Sequence, residues 1–218
     1  MSVKVGPKIV KEGLVFDLDA AVPRSYSGSG LTANGLVGGL GGTLVNGVGF
    51  TSANNGSFFF DGTNDYIVSS SDPSYAFGTN DFTVSAWFKS SDKSRYSNIF
   101  NLYENNNYGI ELYSNVTNGY FRTWVGSQLL VGNIDITNNT WNHVCLRRSS
   151  GFITHFVNGI QNLSTTAAFS IPSNILKIGS IVNAYYCLGN ISQVQLYNRA
   201  LTAQEILQNY NATKGRYI

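Results

Sequence analysis

Apolar and polar residues alternate along this chain in short runs, broken by Gly, Asn and Ser. In DFTVSAWFKS, Phe82, Val84, Ala86 and Phe88 alternate with Thr83, Ser85, Trp87 and Lys89. A period of two predicts a strand with one face on a core and the other in solvent. Further strand-like runs span Leu14 to Leu18, Phe58 to Phe60 and Tyr66 to Val68, followed by SNIFNLY, YGIELYS, GYFRTWVG, WNHVCLRR, FITHFVNG, NILKIGS and ISQVQLY. Ser149-Ser150-Gly151 predicts a hairpin between WNHVCLRR and FITHFVNG, and Asn158-Gly159 is the strongest two-residue turn signal in the chain. One helix is predicted, in LTAQEI. Thr202 can cap its start, Glu205 can reach back to the cap, and Leu201 can staple onto Ile206. Ile206, Leu207 and Tyr210 would then share a face. Many short strands with one late helix give an all-β fold class, a two-sheet antiparallel sandwich with one short C-terminal helix.

Composition narrows this picture. The chain has 218 residues, 43% of them hydrophobic and 13% aromatic, enough to bury a core. No linker or internal repeat divides it, so one domain over 13–218 is expected, preceded by an N-terminal arm over 1–12. Only 12% of residues are charged and the net charge is +2, which leaves no clustered basic surface for nucleic acid. A weakly charged surface suits a protein packed against neighbours. No run of about 18 apolar residues occurs, and MSVKVGPKIVKEGLVF carries no apolar signal core, so neither a membrane span nor export is expected. Cys145 and Cys187 are too few for a disulfide framework and read as free, half-buried thiols, although pairing stays open. From Ser27 to Gly49 the chain holds nine of its 23 glycines. Gly38-Gly39-Leu40-Gly41-Gly42 lacks the Lys-Ser/Thr that closes a phosphate-binding loop, and this region reads as an irregular loop over a sheet edge.

The order of GSFFFDGTNDYI, DFTVSAWFK, WNHVCLRR, FVNGIQ and LGNISQVQLYNRALTAQEI resembles the concanavalin A-like (laminin-G-like and pentraxin-like) jelly-roll superfamily. The opening GPKIVKEGLVFDLDA and the closing NYNATKGRY are similar to versions of this module in tailed-phage structural proteins. The resemblance implies two stacked antiparallel sheets in a jelly-roll sandwich, in a family whose members bind sugars, proteins or calcium and some of which cleave glycans. The hydrolase branch carries Glu-x-Asp-x-x-Glu on one strand, and this chain has no such string; Glu104 and Glu111, seven apart, are the nearest pair. The resemblance places a pentraxin-type calcium loop at Asn106-Asn107, where the carboxylate is missing, and a second at IVNAYYC, which has no acid. It also places a disulfide at Cys145, whose partner position holds Ser85.

Three constellations remain as candidate chemistry. Asp61 and Asp65, in a polar gap between FFF and YIV, read either as the turn of a hairpin or as ligands of a structural cation, calcium being the candidate cofactor, with Asp17 and Asp19 as further acids. His143 and Cys145 share a strand face, which points their side chains in parallel and not at each other, and no nucleophile elbow or zinc spacing occurs. Tyr103, Glu104, Asn105, Asn107, Tyr108, Tyr113, Tyr120 and Trp124 crowd one stretch with the aromatic faces and planar amides that sugar binding uses. The likeness of the end segments to phage modules, together with the weak charge and the missing export signal, implies a non-enzymatic phage virion protein, on capsid, tail or fibre, made in the host cytoplasm. Its expected partners are other virion proteins or copies of itself, with cell-surface glycan adhesion and neither nucleic acid nor membrane. The rival reading is a free lectin-like carbohydrate-binding protein; a glycoside hydrolase ranks last.

Overall fold

A computed structural model describes residues 7–103, 109–114, 116–125, 128–166, 168–181 and 185–218. In chain order the strands are β1 (Leu14–Asp19), β2 (Thr32–Ala33), β3 (Gly42–Val45), β4 (Gly49–Thr51), β5 (Ser57–Asp61), β6 (Tyr66–Ser69), β7 (Phe82–Lys89) and β8 (Ser97–Tyr103). They continue as β9 (Gly109–Ser114), β10 (Tyr120–Val125), β11 (Gln128–Asp135), β12 (Asn142–Ser149), β13 (Phe152–Val157), β14 (Ile160–Thr166), β15 (Leu176–Ile178) and β16 (Leu188–Tyr197). The single α-helix among the described residues, α1 (Ala203–Thr213), follows them.

The strands form two antiparallel sheets stacked as a jelly-roll sandwich. Sheet A runs β14-β13-β12-β7-β16-β5-β4, with β1 beside the second half of β16, end to end with β5. Sheet B runs β11-β10-β9-β8-β15-β6-β3-β2. Phenylalanines from both sheets fill the space between them: Phe58, Phe60, Phe82 and Phe88 from sheet A meet Phe100 and Phe121 from sheet B. A polar bond crosses this core between His155 Nε2 on β13 and Thr123 Oγ1 on β10, at 2.7 Å. The two sheets also meet at one edge, where Asn162 Nδ2 of β14 donates to Asn133 Oδ1 of β11 at 2.6 Å.

Local chemistry explains the turns. Ser150-Gly151 and Asn158-Gly159 both hold positive φ at their two central residues, as tight hairpin turns demand, and they join β12 to β13 and β13 to β14. The capping box on α1 is complete: Thr202 Oγ1 accepts from Glu205 N–H and Glu205 Oε2 accepts from Thr202 N–H. Arg199 grips the same carboxylate at 2.6 and 3.0 Å, and that hydrogen-bonded pairing holds Glu205 down to about 2. Leu201 and Ile206 share a buried cluster, consistent with the staple. Leu207 departs from the expected face. It is exposed and lies over the 158–159 turn, while Asn209 and Thr213 are buried in its place.

Three further expectations change. Strand β7 is buried on both faces and not on one. Its second face is covered by the C-terminal segment: Thr83 Oγ1 donates to Arg199 O, and Trp87 lies under α1 and Tyr217. The glycine-rich region is not loop throughout, because it supplies β2, β3 and β4, short strands with few apolar residues to mark them. Both cysteines are free but wholly buried, not half-buried.

Residues 8–12 run along the outer side of sheet A. Val10 N–H donates to Asn209 Oδ1, Tyr197 hydroxyl to Val10 O, and Gln208 Nε2 to Lys8 O.

Candidate functional site

Much of the outward face of sheet A is covered by α1 and the C-terminal turn, so the broader open sheet surface is the outward face of sheet B. Pairing register sets what it displays, because directly paired residues in antiparallel strands share a face. One row crosses the sheet through Val68, Lys177, Asn101, Trp124 and Leu129. Glu111 pairs between Asn101 and Trp124, and its side chain lies outside the described set. A second row runs through Asn98, Tyr113, Arg122 and Val131. The apolar partners of these strands, such as Phe100 and Ile178, alternate onto the core side.

The two rows form a polar and aromatic platform. The Arg122 guanidinium sits 5.6 Å from the ring centres of both Tyr96 and Tyr113. Tyr96 meets Tyr113 and Tyr185 edge to face at 5.7 and 5.3 Å. Lys177 Nζ lies 5.1 Å from the Tyr66 ring. Trp124, Leu129 and Val131 are each about 40% exposed and make an apolar border. Within the platform Asn98 and Asn101 are only 1% exposed. The nitrogen and the oxygen of both side-chain amides lack a hydrogen-bond partner. A buried polar group without a partner costs about 1–3 kcal/mol, so these four atoms side by side, enclosed by their neighbours, would be relieved by a donor and an acceptor that entered the platform.

Of the residues singled out from sequence, Trp124 and Tyr113 stand on this platform. Tyr103 ends β8, opposite Gly109, and its side chain is outside the described set. Glu104, Asn105, Asn107 and Tyr108 lie outside the described residues. Tyr120 opens β10, opposite Asp135. Sequence reasoning missed Asn98, Asn101, Arg122 and Lys177. The available signal was two asparagines inside the apolar run SNIFNLY. They stand three apart, and only the register shift between Asn98 and Phe100 brings both outward.

The acids sit elsewhere. Asp61 Oδ1 accepts from Thr63 N–H at 2.7 Å, Asp65 Oδ2 accepts from Asp61 N–H at 3.1 Å, and Gly62 takes φ 79°. The turn they build is not a hairpin: β5 belongs to sheet A and β6 to sheet B, so it carries the chain from one sheet to the other. Of the Asp65 carboxylate, Oδ1 alone remains buried without a partner, far short of the six to eight oxygens calcium takes. Asp17 Oδ1 accepts from Gln193 Nε2, and Asp19 pairs with Arg216 at 2.6 Å. Among the described residues no three His, Cys, Asp or Glu side chains converge as a metal site. His143 faces Trp87 and Tyr210. Burial drives the Cys145 thiol pKa well above its ordinary value, which keeps it protonated.

Comparison with known proteins places this architecture. No curated protein sequence matches the chain. Among solved structures it is similar to domain 4 of AbnA, an extracellular arabinanase from Geobacillus stearothermophilus, solved in complex with arabinotriose (TM-score 0.74, 18% identity, 91% of this chain and 100% of that one). It is also similar to the binding domain of botulinum neurotoxin serotype D (TM-score 0.71, 15% identity, 91% of this chain) and to Trypanosoma rangeli sialidase (TM-score 0.74, 15% identity, 99% of this chain). It spans 50% of the toxin domain and 36% of the sialidase. At these identities the likeness is one of fold. The Laminin_G_3 family model matches residues 61–207, two thirds of the sequence. The chain belongs to the concanavalin A-like lectin/glucanases superfamily.

Proposed function

We propose that this chain is a non-enzymatic binding module that holds a glycan on the outward face of sheet B. The observation that carries the reading is the pair of buried, unpartnered amides of Asn98 and Asn101 beside Trp124 and the tyrosines. A carboxamide offers a donor and an acceptor in one plane, which matches adjacent sugar hydroxyls, and the rings offer faces for the C–H side of a sugar. The solved arabinotriose complex of the arabinanase domain supports the reading by analogy of fold. The absence of a Glu-x-Asp-x-x-Glu string from the sequence favours binding over cleavage.

A glycan array followed by calorimetry tests this. Asn101→Leu and Trp124→Ala should each weaken binding about fivefold or more, since each removes contacts worth about 1 kcal/mol or above. An array with no positive glycan, or full affinity in both variants, refutes the reading.

The finer reading is that the module belongs to a phage virion, as a capsid decoration or part of a tail or fibre, in contact with other virion proteins or copies of itself. Its support is the weak surface charge and the likeness of the two end segments to phage modules. Mass spectrometry of purified virions should find the chain at high copy; a particle without it leaves the free lectin.

A further inference from the structure

A second concavity lies on the outer side of sheet A, beyond the reach of the C-terminal segment. Three adjacent strands place Phe59, Asn190 and Lys89 in one cross-strand row, since Asn190 pairs with Phe59 on β5 and with Lys89 on β7. Their core-facing neighbours Phe58, Phe60, Phe88 and Ile191 are buried, so the row faces outward. With the segments around Ser91 and Asn139 it lines a pocket of about 250 Å³. The rim is fixed by backbone and hydroxyl bonds: Asn139 N–H donates to Ser90 O at 2.9 Å and Ser90 Oγ donates to Leu188 O at 2.7 Å.

The lining has a definite chemistry. The Phe59 ring is 44% exposed, whereas the phenylalanines on either side of it along β5, Phe58 and Phe60, are buried; of the sheet A phenylalanines only Phe152, on the far strand β13, is more exposed. Gly49 beside it leaves the ring uncovered: a Cβ there would touch Phe59 at 3.5 Å. Asn190 Nδ2 donates to Ser57 Oγ at 3.2 Å, which leaves its carbonyl oxygen for another donor. Lys89 has no ion-pair partner among the described residues. The carboxylate in the same pocket, Asp92, is already held by Arg95 at 2.9 Å and by Ser94, so the pocket carries one uncompensated positive charge.

We infer that this pocket is a second ligand site, separate from the sheet B platform, for one sugar unit bearing a carboxylate, of the kind found in polyuronides. The volume is below the range of about 300–1,000 Å³ that holds a drug-sized ligand, so it suits a single ring. Lys89 faces the carboxylate, Phe59 takes the C–H face of the ring, and the Asn139 and Asn190 amides meet hydroxyls.

The test is a titration of the isotope-labelled full chain, followed by amide shifts, with glucuronate, glucose and acetate as separate probes. Glucuronate should move the Asn139, Gly189 and Asn190 amides. Glucose should bind at least about tenfold more weakly, and Lys89→Gln should erase that preference, as expected for loss of one charge-assisted contact. Phe59→Ala should weaken glucuronate binding, whereas Trp124→Ala should not change it. The inference fails if glucose or acetate equals glucuronate, if Lys89→Gln retains the preference, if Trp124→Ala removes the response, or if these amides stay still. Because the readout sits on sheet A, its failure leaves the glycan reading of sheet B untouched.

Discussion

Replacing Trp87 with alanine is expected to lower the unfolding free energy by about 3–5 kcal/mol, the range for truncating a buried large aromatic. Trp87 is 1% exposed although it points away from the sandwich core. It is the floor on which the chain's last turns rest. Its ring lies 4.2 Å from Tyr217 and 5.6 Å from Tyr210, and its Nε1–H donates to Thr213 Oγ1 at 2.9 Å. The truncation therefore removes packing and leaves a buried hydroxyl short of a donor. Urea unfolding gives the free energy, and limited proteolysis after Lys214 and Arg216 reports whether the helix has come away. Thr213→Val separates the two contributions, because it keeps the ring packing while removing the acceptor of the Trp87 Nε1–H and the bond that Thr213 Oγ1 donates to Asn209 O; with the indole N–H left buried and unpaired it should cost about 1–3 kcal/mol. A loss below about 1 kcal/mol for Trp87→Ala would mean that the C-terminal segment is held by something else.

The second large effect is acid sensitivity. Burial lowers His155 to about 3 and His143 to about 4, from an ordinary 6.5. Both rings are thus neutral in the folded chain and protonate in the unfolded one. The stability they contribute is fully present above pH 6.5 and is lost as pH falls toward 4. At about 1.4 kcal/mol per pH unit for each group, several kcal/mol are at stake. Asp17 works the other way. Burial raises it to about 6 from 3.8, so its contribution is present below 3.8 and disappears as pH rises through about 6. Two groups against one leave a net loss on acidification. Urea midpoints measured from pH 7 to pH 4 should fall, and His155→Gln should flatten the slope. Asp17→Asn should steepen it while raising stability at pH 7. A midpoint independent of pH over this window would contradict the burial of both histidines.

The sandwich itself was legible because its central strands are short apolar-rich runs set off by turn residues, with DFTVSAWFKS in period two, and SNIFNLY, GYFRTWVG and WNHVCLRR all became strands. The missed strands lie at edges or in glycine-rich sequence. β14, IQNLSTT, is an edge strand with mostly exposed residues and so carries no alternation. β3 and β4 are built around Gly42 and Gly49, which supply no apolar signal. Trp87 was read as solvent-facing since alternation reports only local geometry, and the cover comes from residues more than a hundred positions later. The turn at Asp61 looked like a hairpin for the same reason: sequence shows that the chain reverses but not which sheet it rejoins. At the platform, Trp124 was legible as an aromatic in a polar stretch. Asn98 and Asn101 were not, because a single bulged residue, Ile99, resets which side of the strand each one occupies.

The segment at residues 8–12 and the helix ending at Thr213 are clasped together on the same side of the molecule, by Lys8 to Gln208 and by Val10 to Asn209. A chain anchored to a solid support or a larger body through either end would stand with that side down. The Asn98–Trp124 surface would then point away from the anchor toward whatever approaches, so many copies fixed side by side would all present it in one orientation.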